Sequence, residues 1–240
     1  MRKFGLIGHP LKHSFSPSFF KAKFEEQGII DAEYHAYDID DIQDLQDIID
    51  SGVRGLNVTI PYKEKVIPYM DELDSLSALV MSVNTIVIRE RKLIGYNTDI
   101  GAFRKSVLDF LGEERIEKAL ILGTGGSSKT VEFVLNNMDI VTHKVSRLKG
   151  TYLYDELDKS IMMNHRLIIN TTPLGMYPDV DISPAIPYEF LTENHFVMDL
   201  IYNPEKTLFL EKAQEKGAAI MNGINMLIDQ AENSWKLWNQ

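Results

Sequence analysis

The sequence contains no cysteine, which excludes disulfide bonds and thiolate catalysis. Its six histidines are scattered without the spacing that is typical of metal ligands, so no metal site is predicted. Positive charge is also scarce, because 25 lysines and arginines stand against 35 acidic residues and the net charge is −10. This balance disfavours nucleic acid and anionic membranes as partners.

Long apolar runs are missing as well. Residues 1–8 pass directly into a short strand pattern, so neither a signal peptide nor a membrane span is predicted and the cytoplasm is the expected location. A chain of 240 residues can bury the cores of two ordinary domains. We expect two, because more than a hundred residues precede the nucleotide-binding pattern described next.

A glycine-rich turn follows an apolar run at residues 119–122. Gly123 allows a tight turn, Gly125 lets the backbone approach a pyrophosphate, and the small Ser128 permits close packing of a helix on a strand. The helical pattern resumes near Ser127, where the first N–H groups would receive the pyrophosphate. We therefore predict a buried parallel strand, a turn and a helix that bind a dinucleotide.

Three further strands are predicted at residues 140–147, 166–170 and 196–199. The first of them ends in Ser146-Arg147, without an acidic residue that could accept the ribose 2′-hydroxyl of NAD. An arginine at this place favours the additional phosphate of NADP. The alternative is that Arg147 is an ordinary solvated surface residue.

The N-terminal part also alternates between strand and helix patterns. Strands are predicted at residues 4–8, 32–37 and 55–60, the first helix is expected to have Ser16 as its N-cap, and the second is expected to be capped by Asp40 or Asp41. This alternation is typical of a parallel α/β sheet. A hairpin over residues 83–97 is expected at the edge of that sheet.

These patterns predict the α/β fold class with two domains. Residues 1–100 form a substrate-binding and catalytic domain, and residues 101–223 form a Rossmann-like dinucleotide-binding domain. A helix that begins at Thr98 or Asp99 links the two, and the C-terminal helix, within residues 224–240, returns to the first domain.

Polar residues at strand ends and in loops are the candidates for chemistry, since open α/β sheets build their sites there. They are Ser14, Ser16, Thr59, Lys63, Asn84, Asp99 and Gln230. Six of the seven also have an ordinary structural explanation: the serines and Asp99 as helix caps, Asn84 as a turn former, and Lys63 and Gln230 as solvated surface groups.

A series of motifs follows along the chain: Gly8-His9-Pro10-Leu11-Lys12-His13-Ser14-Phe15-Ser16-Pro17, Asn57-Val58-Thr59-Ile60-Pro61-Tyr62-Lys63-Glu64, Val83-Asn84-Thr85, Asn97-Thr98-Asp99, the glycine-rich turn, Asn170-Thr171-Thr172-Pro173-Leu174-Gly175-Met176, and Gly223-Ile224-Asn225-Met226-Leu227-Ile228-Asp229-Gln230-Ala231. In this order they resemble the motifs of the shikimate dehydrogenase family. The resemblance spans nearly the whole chain, and several motifs in one order are far more specific than any single one.

The resemblance implies an oxidoreductase of aromatic amino acid and chorismate biosynthesis, which reduces 3-dehydroshikimate to shikimate with NADPH. It implies that Ser14, Ser16 and Tyr202 hold the substrate carboxylate and that Thr59, Asn84, Asp99 and Gln230 contact the ring hydroxyls. It makes Lys63 the catalytic lysine, with Asp99 as its proton-transfer partner. The implied cofactor positions are Gly123, Thr124, Gly125, Gly126, Ser127, Ser146, Arg147, Leu200 and Gly223. The expected partner is a small-molecule substrate, with the protein a monomer or a homodimer.

Two departures from the family pattern affect the cofactor region. Ser146-Arg147-Leu148 replaces the usual Asn-Arg-Thr, and the second arginine expected further on is missing, although Lys149 can replace part of its charge. The segment 148–165 is also short, so we expect that a crossover helix is lost there. Two alternatives therefore stay open: an NAD-linked quinate/shikimate dehydrogenase, and a catalytically weak relative that binds a small acid as a sensor.

Overall fold

The computed structural model describes residues 1–12 and 14–240. His13, in the first of the motifs above, lies outside the described residues. The chain divides into two compact units, the first made of Met1–Thr98 with Ala231–Gln240 and the second of Asp99–Gln230. The divisions therefore lie after residues 98 and 230 rather than after residues 100 and 223.

The first unit is built on a mixed sheet. Its elements in chain order are β1 (Arg2–Gly8), α1 (Ser16–Glu26), β2 (Ala32–Asp38), α2 (Leu45–Asp50), β3 (Val53–Val58), β4 (Glu72–Leu73), α3 (Ser75–Val80), β5 (Thr85–Arg89) and β6 (Lys92–Tyr96). The strand order is β2-β1-β3-β5-β6-β4. Strand β1 is parallel to β2 and β3, whereas β5 is antiparallel to both β3 and β6.

The second unit contains a wholly parallel sheet. Its elements are α4 (Asp99–Leu111), β7 (Lys118–Leu122), α5 (Gly126–Asn136), β8 (Val141–Ser146), β9 (Tyr152–Leu153), α6 (Lys159–Asn164), β10 (Leu167–Asn170), β11 (Phe196–Asp199), α7 (Leu208–Gln214), β12 (Ala219–Met221) and α8 (Ile224–Trp238), whose last residues belong to the first unit. The order β12-β11-β10-β7-β8-β9 reverses direction at β7. Ligands of doubly wound sheets bind beside the carboxyl ends of the strands at such a reversal.

Apolar side chains cover both faces of the first sheet. One face carries a core that includes Ile7, Leu56 and Ile86, which are all fully buried. The other face is covered by α1 and by the end of α8, where Phe20 and Trp235 pack together. Burial of these side chains on folding supplies the main stabilisation of the sheet.

The core of the second unit explains its continuous apolar strand sequences. Leu120, Ile168 and Val197 come from three adjacent parallel strands and are fully buried, with Phe209 of α7 packed among them. Parallel strands are covered by helices on both faces, so their residues do not alternate between apolar and polar. Among the described residues, no helix is both long and apolar enough to cross a membrane.

Several sequence expectations need correction in the first unit. Helix α1 begins at Ser16 with Phe15 as its N-cap, so Ser16 is not the cap. The third strand covers residues 53–58 rather than 55–60, because it ends where Thr59 begins a turn that Tyr62 closes through a bond to the Thr59 carbonyl. The hairpin β5–β6 does not form the edge of the sheet, since the two-residue strand β4 pairs outside it.

The bounds of the elements around β8 also differ from the expectation. The strand over residues 140–147 is confined to 141–146, and the helix that starts near Ser127 begins at Gly126. The described residues between β8 and β9 contain no helix, yet β9 pairs parallel with β8 through only two residue pairs. Such a short strand is reached by a tight loop, closed by the Thr151 N–H donating to the Lys144 carbonyl at 2.8 Å, rather than by a crossover.

Candidate active site

Two loops of the first unit carry four of the predicted substrate residues. The loop after β1 leads to Ser14 and Ser16, and the loop after β3 contains Thr59 and Lys63. The loops are adjacent because β1 and β3 are parallel neighbours. The His9 N–H donates to the Ile60 carbonyl at 3.0 Å, and the Thr59 N–H donates to the Ile7 carbonyl at 2.9 Å.

The side chain of Ser16 is buried beside a polar network. Its neighbour in space is the phenol of Tyr34, whose O–H donates to Asn57 Oδ1 at 2.8 Å. Burial raises the pKa of Tyr34 well above its usual value, so this phenol stays protonated and remains a donor. Ser14 is half-buried and its N–H donates to the Leu11 carbonyl at 3.0 Å.

The same network continues to Asn84. The Nδ2 group of Asn57 donates to Ser234 Oγ at 2.8 Å, and Ser234 Oγ lies 2.8 Å from Thr85 Oγ1. Asn84 Oδ1 accepts the Thr98 N–H at 2.7 Å and the Thr85 hydroxyl at 3.1 Å. These donors fix the Asn84 amide with its oxygen toward the network, so that its nitrogen is the group suited to a substrate hydroxyl.

Lys63 is held through its backbone next to Asn84. The Val83 N–H donates to the Lys63 carbonyl at 2.8 Å, and Asn84 follows directly in the chain. Tyr62 anchors the loop from the other side, because its N–H donates to the Thr59 carbonyl at 2.9 Å and its hydroxyl donates to the Ile39 carbonyl at 2.6 Å. The first unit therefore brings Ser14, Ser16, Thr59, Lys63 and Asn84 onto neighbouring loops.

The remaining predicted substrate residues belong to the second unit. Asp99 is the first residue of α4 and is buried, with 6% of its surface exposed. Gln230 is also buried, and its Nε2 group donates to the Leu227 carbonyl at 2.9 Å. Tyr202 is half-buried and lies just after β11.

The glycine-rich turn is held by close contacts that only small residues allow. Gly123 has a φ of +114°, and a Cβ atom at this position would meet Thr171 Oγ1 at 2.7 Å. Ser128 is fully buried and its hydroxyl donates to the Gly123 carbonyl at 2.9 Å, which holds α5 close to β7. Both contacts favour the small residues that the sequence has here.

The start of α5 is open to a ligand. Thr124 and Gly125 are exposed, and a Cβ atom on Gly125 would meet no described atom within 4 Å. Gly126 and Ser127 begin the helix, whose first turn contains no acidic residue. The positive end of the helix dipole and its first N–H groups are therefore suited to phosphate oxygens.

The turn after β8 presents positive charge. Ser146 Oγ accepts the N–H groups of Lys149 at 2.8 Å and of Leu148 at 3.3 Å, so the side chain of Ser146 closes this turn. Arg147 and Lys149 are exposed on it. Burial raises the pKa of Tyr154, and the positive charge of Arg147 partly opposes this shift.

The other predicted cofactor residues come together at the end of β11. The Leu200 N–H donates to the Asn170 carbonyl at 3.1 Å, and the Gly223 N–H donates to the Ile201 carbonyl at 3.0 Å. A Cβ atom on Gly223 would overlap the Leu200 carbonyl, so only glycine allows this approach of the two segments.

Asp199 supports this region and was missed by the sequence analysis. It is fully buried, and its carboxylate accepts the Thr207 hydroxyl at 2.6 Å, the Ile201 N–H at 3.0 Å and the Asn170 amide at 3.1 Å. Burial raises the pKa of Asp199 to about 6, although these three donors oppose the shift. The signal in the sequence that could have identified Asp199 was its position as an acidic residue at the end of an apolar strand.

Tyr34, Asn57 and Ser234 were also missed as supporting residues. Asn57 is part of a quoted motif, but 177 positions separate it from Ser234, and no local pattern relates the two. Across residues 1–12 and 14–240, no group of three or more acidic or histidine side chains could hold a metal ion.

Comparison with known proteins agrees with this geometry. Residues 6–86 match the model of the shikimate dehydrogenase substrate binding domain. The chain is 39% identical over 253 residues to a shikimate dehydrogenase (NADP(+)) of Methanococcus aeolicus, covering 98% of this chain and 90% of the relative.

Solved structures show the same fold. A crystal structure of shikimate dehydrogenase in complex with NADP+ matches with a TM-score of 0.84 and 33% identity, covering 99% of this chain and 90% of that one. A quinate dehydrogenase from Corynebacterium glutamicum in complex with NAD matches with a TM-score of 0.86 and 25% identity, covering 99% and 93%. With its full-length match to curated relatives, the chain belongs to the family of NADP-dependent shikimate dehydrogenases.

Proposed function

We propose that this protein catalyses the reversible NADPH-dependent reduction of 3-dehydroshikimate to shikimate, acting as a monomer or as a homodimer. The observation that carries the proposal is the set of neighbouring loops in the first unit, which holds two serines, a threonine, a lysine and an oriented asparagine amide. A small acid with several hydroxyl groups requires many hydrogen-bond partners of this kind.

The substrate roles follow from the chemistry of each side chain. Ser14, Ser16 and Tyr202 donate hydrogen bonds to the substrate carboxylate. The ring hydroxyls bind to Thr59, Asn84, Asp99 and Gln230. Loss of any one buried partner leaves a polar group of the substrate unpaired, which disfavours analogues that lack a hydroxyl.

The second unit is suited to the cofactor. The pyrophosphate binds to the turn and helix start formed by Gly123, Thr124, Gly125, Gly126 and Ser127. The 2′-phosphate binds to Ser146 and Arg147, while Leu200 and Gly223 are further cofactor contacts. NADPH supplies the hydride for reduction, and NADP+ accepts it in the reverse direction.

Lys63 acts as the general acid of the reduction. A ketone that receives a hydride develops negative charge on its oxygen, and a lysine ammonium both stabilises this charge and donates the proton. Asp99 acts with Lys63 as the partner carboxylate. In shikimate oxidation the lysine has to accept the proton, so the rate of oxidation is expected to rise with pH.

The decisive test is steady-state kinetics of shikimate oxidation with NADP+ and with NAD+, together with the variant Lys63→Ala. We expect turnover with NADP+ and a decrease of roughly a hundredfold or more in kcat for the variant, the usual scale for a general acid. Lys65→Ala is the matched control, because Lys65 is an exposed lysine of the same loop.

Each alternative gives a different result in this assay. A wild-type protein that binds shikimate without turning it over would be a sensor, and near-normal turnover by Lys63→Ala would remove the lysine from the mechanism. A preference for NAD+ over NADP+ would instead indicate an NAD-linked quinate/shikimate dehydrogenase, and one structural relative is a quinate dehydrogenase in complex with NAD. Arg147 at the end of β8 argues against that outcome.

A further inference from the structure

We propose that Asp38 is a positioning residue for substrate binding, which holds His9 and Leu11 in the arrangement that presents Ser14 and Ser16. We call the described residues of this segment, 9–12 and 14–16, the serine loop. The inference rests on the proposed function, because it assumes that these serines bind the substrate carboxylate. Asp38 itself is the last residue of β2 and has no assigned role in substrate contact.

The carboxylate of Asp38 holds the serine loop at two points. One oxygen lies 2.7 Å from His9 Nδ1, and the other accepts the Leu11 N–H at 3.0 Å. The Leu11 N–H and the His9 side chain hold the pKa of Asp38 below its usual value, so the carboxylate is ionised and both bonds are charge-assisted. A backbone bond supports the same junction, since the Ile39 N–H donates to the Gly8 carbonyl at 3.2 Å.

Leu11 transmits this anchoring to the serines. Its N–H is held by Asp38, while its carbonyl accepts the Ser14 N–H at 3.0 Å. The Leu11 side chain is buried with 5% of its surface exposed, and a Cβ atom on Gly8 would approach Leu11 Cδ2 to 2.7 Å. The peptide of Leu11 is therefore fixed between Asp38 and the turn that carries Ser14.

The end of β2 also holds the loop that carries Lys63. The Tyr62 hydroxyl donates to the carbonyl of Ile39, the neighbour of Asp38. His9 is bonded to both sides, because its ring contacts Asp38 and its N–H donates to the Ile60 carbonyl. Asp38 thus lies at the junction of two loops whose relative position determines how carboxylate and carbonyl of one substrate are held.

Electrostatics alone would disfavour acidic residues at this place. Asp40 also contacts His9 Nδ1, at 3.3 Å, so two carboxylates lie near a loop that binds an anion. By Coulomb's law, removal of either negative charge should strengthen binding of the substrate carboxylate. If Asp38 anchors the serine loop, its removal should instead weaken substrate binding. The direction of the change in KM for shikimate therefore separates the two effects.

The experiment measures KM for shikimate, KM for NADP+, kcat and the thermal midpoint of four variants at Asp38 and Asp40, and of Ser16→Ala. Asp38→Ala loses both bonds, and Asp38→Glu keeps the charge but moves the carboxylate by one methylene. We expect each of these two variants to raise KM for shikimate by about tenfold, the scale of one charge-assisted bond. Asp38→Asn should stay within about threefold of wild type, since its amide can accept from Leu11 and donate to His9. The control Asp40→Ala should leave KM unchanged or lower. KM for NADP+ should be unaffected throughout.

Three results would overturn the inference. The first is an unchanged KM for shikimate in both Asp38→Ala and Asp38→Glu, and the second is a raised KM for shikimate in Asp38→Asn with a normal value in Asp38→Glu. The third is an equal increase in KM for shikimate and in KM for NADP+. If Asp38→Ala does not fold, Asp38→Glu and Asp38→Asn decide the question by themselves. Ser16→Ala separates the inference from the function on which it rests. A normal KM for shikimate in Ser16→Ala would reject the serine assignment, whereas a raised KM with normal Asp38 variants would reject only the role of Asp38.

Discussion

Arg147 is the residue at which cofactor preference is most open to test. Arg147 is exposed just after β8, on a turn that the Ser146 hydroxyl closes. The second arginine that is usual in the family is missing, and Lys149 is the other positively charged residue of this turn. A guanidinium can bind a phosphate through two parallel hydrogen bonds, whereas a lysine contributes a single point charge. Most of the preference for the 2′-phosphate should therefore depend on Arg147.

We expect Arg147→Ala to raise KM for NADP+ by at least tenfold, while KM for NAD+ changes by less than about twofold, because only NADP+ carries the 2′-phosphate. The measurement is steady-state kinetics with both cofactors at saturating shikimate. Arg91→Ala, which removes an exposed arginine from the first unit, serves as the control. Equal changes in the two KM values would show that Arg147 does not select between the cofactors.

At the residue scale, the sequence identified the polar side chains of the candidate site but not the residues that hold the surrounding hydrogen-bond network in place. Ser16 and Asn84 stand out because they are polar residues in loops or next to strand ends of the predicted pattern. The prediction of Ser16 as an N-cap was wrong, because Phe15 is the N-cap of α1 and Ser16 is the first residue of the helix. Tyr34 and Ser234 have no local signal, since their partners come from distant parts of the chain.

Among the elements, strands of the parallel sheet were easiest to predict. Strand β11 has the bounds expected from its apolar run, because helices cover both faces of a central parallel strand and three of its four residues are buried. The short strands β4 and β9 were harder, since two residues carry no periodicity. Their formation depends on the neighbouring strand, which is a tertiary effect.

The end of β11 provides a prediction about pH and stability. Asp199 is buried and its pKa is raised to about 6. In the folded protein its carboxyl group therefore keeps its proton at pH values at which the same group in the unfolded chain has already lost it. The stability that protonated Asp199 contributes is present at low pH and is lost as pH rises from about 4 through about 6. Over pH 4.5 to 7 this linkage is worth on the order of 2 kcal/mol.

Asp199→Asn cannot titrate, so its unfolding free energy should increase relative to wild type by about 2 kcal/mol between pH 4.5 and 7. Any constant loss from altered hydrogen bonds to Thr207 is the same at both pH values and drops out of the comparison. Urea unfolding followed by circular dichroism measures the effect, with the exposed Asp179→Asn as a control for loss of a charge. A difference that stays constant with pH would mean that Asp199 titrates normally.

At the scale of the whole molecule, the sequence predicted two α/β units and a C-terminal helix that contributes to the first. The division near Asp99 was close, because a helix start follows a strand end there. The second division was harder to place. Helix α8 is continuous from Ile224 to Trp238, yet only its part from Ala231 onward belongs to the first unit, and no break in the sequence marks that point.

Trp238 shows how strongly the first unit depends on this distant segment. Its ring stacks on Phe4 with centroids 4.9 Å apart, and its indole N–H donates to the Ile86 carbonyl at 3.0 Å. A Cβ atom on Gly55 would overlap the ring, so β3 has a glycine where the indole lies against the strand. The last helix residues thus complete the packing of strands more than a hundred positions earlier.

We expect Trp238→Ala to lower the unfolding free energy of the first unit by about 3 kcal/mol, because it removes a large aromatic side chain and leaves a cavity over β1 and β3. Urea unfolding followed by fluorescence suits the test, since the remaining tryptophan, Trp235, belongs to the same unit and packs on Phe4 at 5.3 Å. Lys236→Ala, an exposed change in the same helix, should shift the midpoint little. If the two variants unfolded at the same urea concentration, the end of α8 would be a peripheral attachment, and the first unit would owe its stability to residues 1–98 alone.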